Sequence, residues 1–432
     1  MIRGLLLCLT ILGLTPPNGL AQAQPAPPNL SLAQAEAIAL KNNPQISIGK
    51  LRALVARQFV RETRSALMPT ANLSLTAVDS NPGSRMAAGF LNNPVLFPRA
   101  AGGAAVSELV TDFGRTSNLL SSSEFGAKAE DENAAATRAD VLLVVDQAFY
   151  NSLDTKALMQ VADETVKARQ TLVDQVQALT DAKLKSEIDL SFSKVELARA
   201  KLLQLEARNN YQTSLAALSA VLGFSDEQHF QLVEEANPLV PPAPDAAPLI
   251  QQALQQRPEI RALQYQVESA QKFGNAERDL WRPSINALGV VGQAPVRDNH
   301  IPSWYGAVGV NVNIPVFNGF LYNARARVAD LQTEVQRQKL RDMQNSVARD
   351  VRTAWEDSNR AFQRLSVTQQ MREQASLALD LAQARYKLGL GSIVEFTQAE
   401  LQKTEADIAD TDANYQYRLT GIVLNFTMAV AK

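Results

Sequence analysis

Residues 31–430 are one long unit written twice. Asn43-Pro44-Gln45-Ile46 returns as Arg257-Pro258-Glu259-Ile260, and the same offset of 214 carries Pro69-Thr70-Ala71-Asn72 onto Pro283-Ser284-Ile285-Asn286. Farther along the offset is 206: Asp112-Phe113-Gly114 aligns with Asn318-Gly319-Phe320, and Ala148-Phe149 with Ala354-Trp355. A period near 200 residues is far longer than a solenoid repeat, so the sequence predicts two copies of a large structural unit.

What the repeat can do is narrowed by what it lacks. Histidine occurs only at His229 and His300 and cysteine only at Cys8, so a metal cluster, a thiol nucleophile and a disulfide framework are short of ligands. With 42 basic against 44 acidic side chains, nothing suggests nucleic-acid binding. No carboxylate stands beside a glycine-rich loop or other substrate motif, so an enzyme is not expected, and no cofactor either. His229, far in sequence from any second ligand, reads as a surface or packed side chain.

The first 23 residues resemble a secretory leader: Arg3, the apolar run Leu5–Leu14, and Ala21-Gln22-Ala23 before Gln24. A lipid anchor at Cys8 is the alternative, but Leu7 stands where a small residue belongs. No later stretch of 18 apolar residues follows, so a membrane helix is not expected.

Proline is absent between Arg99 and Asn237 and again after Val316. Within these tracts apolar residues recur at intervals of three and four, as in Val347, Val351, Trp355, Phe362 and Leu365, which predicts long packed helices. A helix of about 65 residues spans about 100 Å, so the molecule is elongated. Breaks at 181–186 and 389–391 predict that each tract folds back as an antiparallel pair. Phe149 and Trp355, at equivalent places, are expected to pack between helices rather than to bind a ligand.

Between the first helix and the hairpin of each copy the period changes to two. Ala71, Leu73, Leu75 and Ala77 alternate with Thr70, Asn72, Ser74 and Thr76; Trp304, Gly306, Val308, Val310, Val312 and Ile314 alternate with a face holding Tyr305, Asn311 and Asn313. The second run has the length of a tilted membrane strand. Segments 104–111 and 285–292 are the expected hairpin partners, and 80–103 and 294–303 read as exposed turns. Four strands are too few to enclose a lumen, since about eight are needed even for a packed interior, so a membrane reading requires several copies. The alternative is a small soluble sandwich packed on helices.

The expected fold class is α+β, mainly helical and internally duplicated. It comprises a leader over 1–23 and a first repeat over 24–236, with strands at about 70–79 and 103–111 and a hairpin over about 115–223. A proline-rich linker over 237–248 leads to a second repeat over 249–432, with strands at about 285–293 and 304–314 and a hairpin over about 320–430.

Three segments carry a family resemblance. Ser31–Pro44 is similar to the opening signature of TolC-like outer-membrane efflux proteins. Ile314-Pro315-Val316-Phe317-Asn318-Gly319 resembles their strand-to-helix junction, and Arg385-Tyr386-Lys387-Leu388-Gly389-Leu390-Gly391-Ser392 their helical-hairpin tip. The resemblance covers essentially the whole mature chain. It implies a homotrimer whose twelve strands form one barrel in the lipid of the outer membrane and whose twelve helices continue it as a periplasmic tunnel. That conduit would dock a periplasmic adaptor and an inner-membrane transporter and serve tripartite efflux or type I secretion.

By the same resemblance Tyr386, Asp189 and Glu395 fall on the family's periplasmic gate, and Leu184, Gly389, Leu390 and Ser392 on its docking tips. Gln398 replaces a second carboxylate, Gly391 a locking arginine, and Lys183 a tip glycine, so the latch is expected to be weaker or to use Lys183, Lys185 or Glu187. Asp189 and Glu395 can also be read as solvated helix carboxylates. The alternatives at this level are a self-associating helical structural protein of the periplasm or surface, and a periplasmic adaptor, which would need a further domain between the arms of one hairpin.

Overall fold

The computed structural model describes residues 29–79, 81, 99–226, 228, 230–234, 238–294, 300 and 302–429. The leader and His229 lie outside the described residues. The first repeat runs β1 (Asn29–Leu30), α1 (Leu32–Asn42), α2 (Pro44–Ser65), β2 (Thr70–Val78), β3 (Arg99–Thr111), α3 (Arg115–Asp181) and α4 (Glu187–Val221). The second runs β4 (Gln231–Leu232), α5 (Ala247–Gln256), α6 (Pro258–Arg278), β5 (Ser284–Gln293), β6 (Trp304–Asn313), α7 (Leu321–Lys387) and α8 (Ile393–Thr427). The duplication is held to the residue in the hairpins: α3 and α7 are both 67 residues long, α4 and α8 both 35.

Local chemistry sets the breaks. Ser31 and Gln34 form a reciprocal capping box at the start of α1. Asn43 and Arg257 are both extended, as residues before proline must be, so helix stops and restarts at Pro44 and at Pro258. At the strand-to-helix junctions the chain turns through two consecutive left-handed residues. These are Phe113 (φ 53°) with Gly114 (φ 109°), and Gly319 (φ 62°) with Phe320 (φ 65°), so aromatic and glycine stand in opposite order in the two copies. Asp112 secures the first junction by accepting from the Thr116 amide at 2.7 Å.

The strands form one antiparallel sheet in the order β2-β3-β5-β6, with the two repeats joined at its centre through β3 and β5. The expected turn over 80–103 ends earlier than composition suggests, because residues 99–103 belong to β3. Ala101 pairs with Thr76, Gly102 with Leu75 and Gly103 with Ser74. Small residues carry no strand signal of their own, and it is the backbone pairing with β2 that makes them strand. One sheet face carries Leu73, Leu75, Val308, Val310 and Val312, and Val308 is 91% exposed. Among the described residues, β2 and β6 each keep one edge unpaired.

Below the sheet the helices lie side by side in the order α2-α3-α6-α7. Toward the hairpin ends the order becomes α4-α3-α8-α7, as α3 pairs with α4 and α8, and α8 with α7. The main core gathers Val145, Phe149, Leu218 and Leu222 with Leu30 and Leu232 of the small parallel β1–β4 pair. Phe149 is thus a core residue, and Trp355 donates its indole N–H to the Ala243 carbonyl at 2.8 Å. With the Tyr417 hydroxyl on the Val240 carbonyl, this straps the proline-rich connection across α7 and α8. Among the described residues no helix is long and apolar enough to cross a membrane.

Candidate functional site at the hairpin tips

Both hairpins turn by the same backbone device. At the end of α3 the Leu184 amide reaches the Leu179 carbonyl at 2.8 Å and the Lys183 amide reaches Thr180 at 2.9 Å; at the end of α7, Leu390 reaches Arg385 at 2.8 Å and Gly389 reaches Tyr386 at 3.1 Å. This paired closure requires a left-handed residue, supplied by Gly389 (φ 72°) in one copy and by Lys183 (φ 60°) in the other. Ser186 and Ser392 then cap α4 and α8, accepting from the amides of Asp189 (3.2 Å) and Glu395 (3.1 Å). Asp189 and Glu395 thereby occupy the same position of the two tips. Leu184 and Leu390 project from the apices, 70% and 68% exposed.

Tyr386 points inward, not to solvent. Its ring stacks on Phe396 at 5.5 Å and 19°, within an apolar cluster that takes Leu172 and Val176 from α3 and so binds the two hairpins together. Lys185 of the first tip places its ammonium 4.0 Å above the ring, a cation–π contact across the repeats. Burial, and then the Asp189 carboxylate, push the phenol above its ordinary range, so it remains a protonated donor. Among the described residues the hydroxyl nevertheless has no hydrogen-bond partner. A cavity of about 420 Å³ lies between the tips, lined by Leu184, Lys185, Tyr386, Leu388, Gly389 and Phe396 among others.

The three predicted gate residues divide into two settings. Asp189 acts on Tyr386 from α4, whereas Glu395 is held within its own hairpin by Arg385 at 3.1 Å, both side chains about half exposed. Arg385 also donates to the Leu390 carbonyl at 3.2 Å. Gly391 fits tightly here: a Cβ would lie 3.1 Å from Glu395 Oε2 and 3.2 Å from Arg385 Cβ. Gln398 is exposed.

Sequence reasoning missed the polar layer above the tips. Buried Arg169 of α3 is ion-paired with Glu400 of α8, a bond between residues 231 apart. Higher still, Arg372 pairs with Asp410 at 2.7 Å and Arg364 with Asp412 at 2.8 Å. The available signal was the intrusion of charged residues into the helical packing stripes. Among the described residues no group of three or more His, Cys, Asp or Glu is placed to hold a metal ion.

Comparison with known proteins places this architecture. The family described as Outer membrane efflux protein matches the chain twice, over residues 37–224 and 249–426. Protein CyaE of Bordetella pertussis is 23% identical, over 89% of this chain and 83% of its own. Outer membrane protein TolC of Vibrio cholerae is 22% identical, over 91% and 89%. Among solved structures, CusC superposes with a TM-score of 0.80 at 19% identity, covering 92% of this chain and 91% of that one.

Proposed function

The chain belongs to the outer membrane efflux protein family, and from that premise we propose that three copies close into one continuous conduit from periplasm to exterior. It is an outer-membrane efflux channel of the tripartite kind. In the proposed assembly three four-stranded sheets make a twelve-stranded barrel in the membrane lipid, and the long helices continue it into the periplasm. The observation that carries this reading is the character of the protomer's lateral edges. Among the described residues β2 and β6 leave their outer edges unpaired, and an open strand edge in a bilayer is too costly to persist. The helices at the ends of the rows, α2 (Leu54), α4 (Phe192, Leu205) and α7 (Leu331, Leu381), expose apolar side chains. A neighbouring copy that seats its α2 and α4 on α7 covers all of them at once.

In this assembly the hairpin tips form the periplasmic end. Threefold symmetry sets the Asp189 and Tyr386 positions around one axis, the phenol buried within its own protomer against Phe396. Leu184, Gly389, Leu390 and Ser392 present a blunt apolar apex to the hairpins of a periplasmic adaptor, which joins the channel to an inner-membrane transporter. Native mass spectrometry and planar-bilayer recording of the purified protein test the reading. A trimer that conducts is expected, and a monodisperse monomer without channel activity would overturn it.

A further inference from the structure

The sheet carries an aromatic seat that the efflux reading does not use. Across the sheet, Ser74, Gly103, Gly292 and Tyr305 stand in one row, one residue per strand. The Tyr305 side chain lies flat along that row. A Cβ built on Gly292 would fall 2.6 Å from its Cζ and 2.5 Å from its Oη, and one built on Gly103 would fall 2.5 Å from the same Oη. These distances are shorter than any side chain tolerates, so both glycines are needed for the ring to rest on the backbone.

Tyr305 shares its face with Thr70, Asn72, Ser74, Asn311 and Asn313, opposite the face that carries Leu73, Leu75 and Val308. In a barrel the apolar face meets lipid and the polar face meets the lumen. Tyr305 is the second residue of β6, next to the β5–β6 turn, and thus at the sheet end remote from the helices. The ring is still 45% exposed, one face on the wall and the other free.

We propose that Tyr305 is a passage-determining residue near the outer mouth of the lumen. Its ring is parked against the wall by Gly103 and Gly292, so that the barrel stays wide there while presenting three flat aromatic faces to whatever leaves. The proposal rests on the trimeric barrel of the preceding section. Lifting the ring by filling the seat narrows the mouth, and removing the ring makes the seat irrelevant.

The chain's single cysteine, Cys8, leaves the barrel free for thiol chemistry. Asn311→Cys, deeper on the same face, is labelled in intact cells from outside with a small methanethiosulfonate and with a bulky fluorescein maleimide. Gly103→Ala is expected to slow the bulky reagent several-fold and the small one little. Gly103→Ala with Tyr305→Ala is expected to restore the rate. Unchanged labelling in Gly103→Ala, or slowing that persists without the tyrosine, would overturn the proposal while leaving the channel reading intact. Labelling at Val308→Cys with none at Asn311→Cys inverts the face assignment and removes both.

Discussion

Asp154 is a carboxyl placed against its ordinary preference. It is buried on α3 with one oxygen unpartnered. Burial first, and then the charge of Asp412, raise it from 3.8 to about 7. A folded-state value above the unfolded one means that the folded protein holds the proton more tightly, so this group's contribution to stability falls as pH rises from about 4 to 7. Asp154→Asn is therefore expected to raise stability at pH 8 by up to about 4 kcal/mol and to change little at pH 4; unfolding followed by circular dichroism at both pH values reads this. The gate residues respond by a different logic. Tyr386→Phe deletes a buried hydroxyl with no hydrogen-bond partner among the described residues and keeps the stack on Phe396, so tip stability is expected to survive in thermal unfolding, while a rise in resting conductance would mark Tyr386 as part of the closed tip. Glu395→Gln leaves the Arg385 charge uncompensated, so in planar bilayers it should lower cation selectivity more than Asp189→Asn does. Loss of that exposed pair costs at most about 1 kcal/mol of stability.

At the scale of the element, the two tips are one design with one substitution. Lys183 holds a left-handed conformation that Gly389 adopts freely in the other copy. Lys183→Gly is expected to stabilise its turn by about 1 kcal/mol and Gly389→Ala to destabilise its own by a similar amount, both measurable by thermal unfolding. A Cβ at Gly389 meets nothing within 4 Å, so Gly389→Trp leaves the protomer's packing alone and fills the space before the tip. Export is expected to fail while membrane insertion persists, and retained export would remove the docking assignment. These turns were legible in the sequence as interruptions of helical composition, whereas the capping roles of Ser186 and Ser392 emerged only with the structure. The start of β3 at Arg99 was not, because alanine and glycine leave no alternating pattern and only pairing with β2 makes them strand.

For the whole molecule, the decisive property is that its lateral edges are unfinished. Phe59 on α2 and Leu331 on α7 are 58% and 53% exposed, Phe59 at the rim of a groove it shares with α3 and α6. Phe59→Glu or Leu331→Glu is expected to shift the assembly from trimer to monomer in mild detergent, with helix content retained. Native mass spectrometry reads the first change and circular dichroism the second; a trimer that tolerates both charges would place the neighbouring copy elsewhere.

The sequence by itself determined the duplication, the helix breaks at Pro44 and Pro258, the turn positions and the two-faced strands, because each is written in local chemistry: proline geometry, interruptions of helical composition, and periods of two and 3.6. It also carried the family, since the motifs keep their order and spacing. Only the tertiary structure decided which polar side chains meet. Arg169 finds Glu400 across 231 residues, Lys185 finds Tyr386 across the two repeats, Glu395 is taken by Arg385 of its own hairpin, and Tyr305 lies over glycines of two other strands. Such partners depend on how helices are rotated against one another and on the register of strands. Those are set by the sum of many weak packing contacts rather than by any short run of residues.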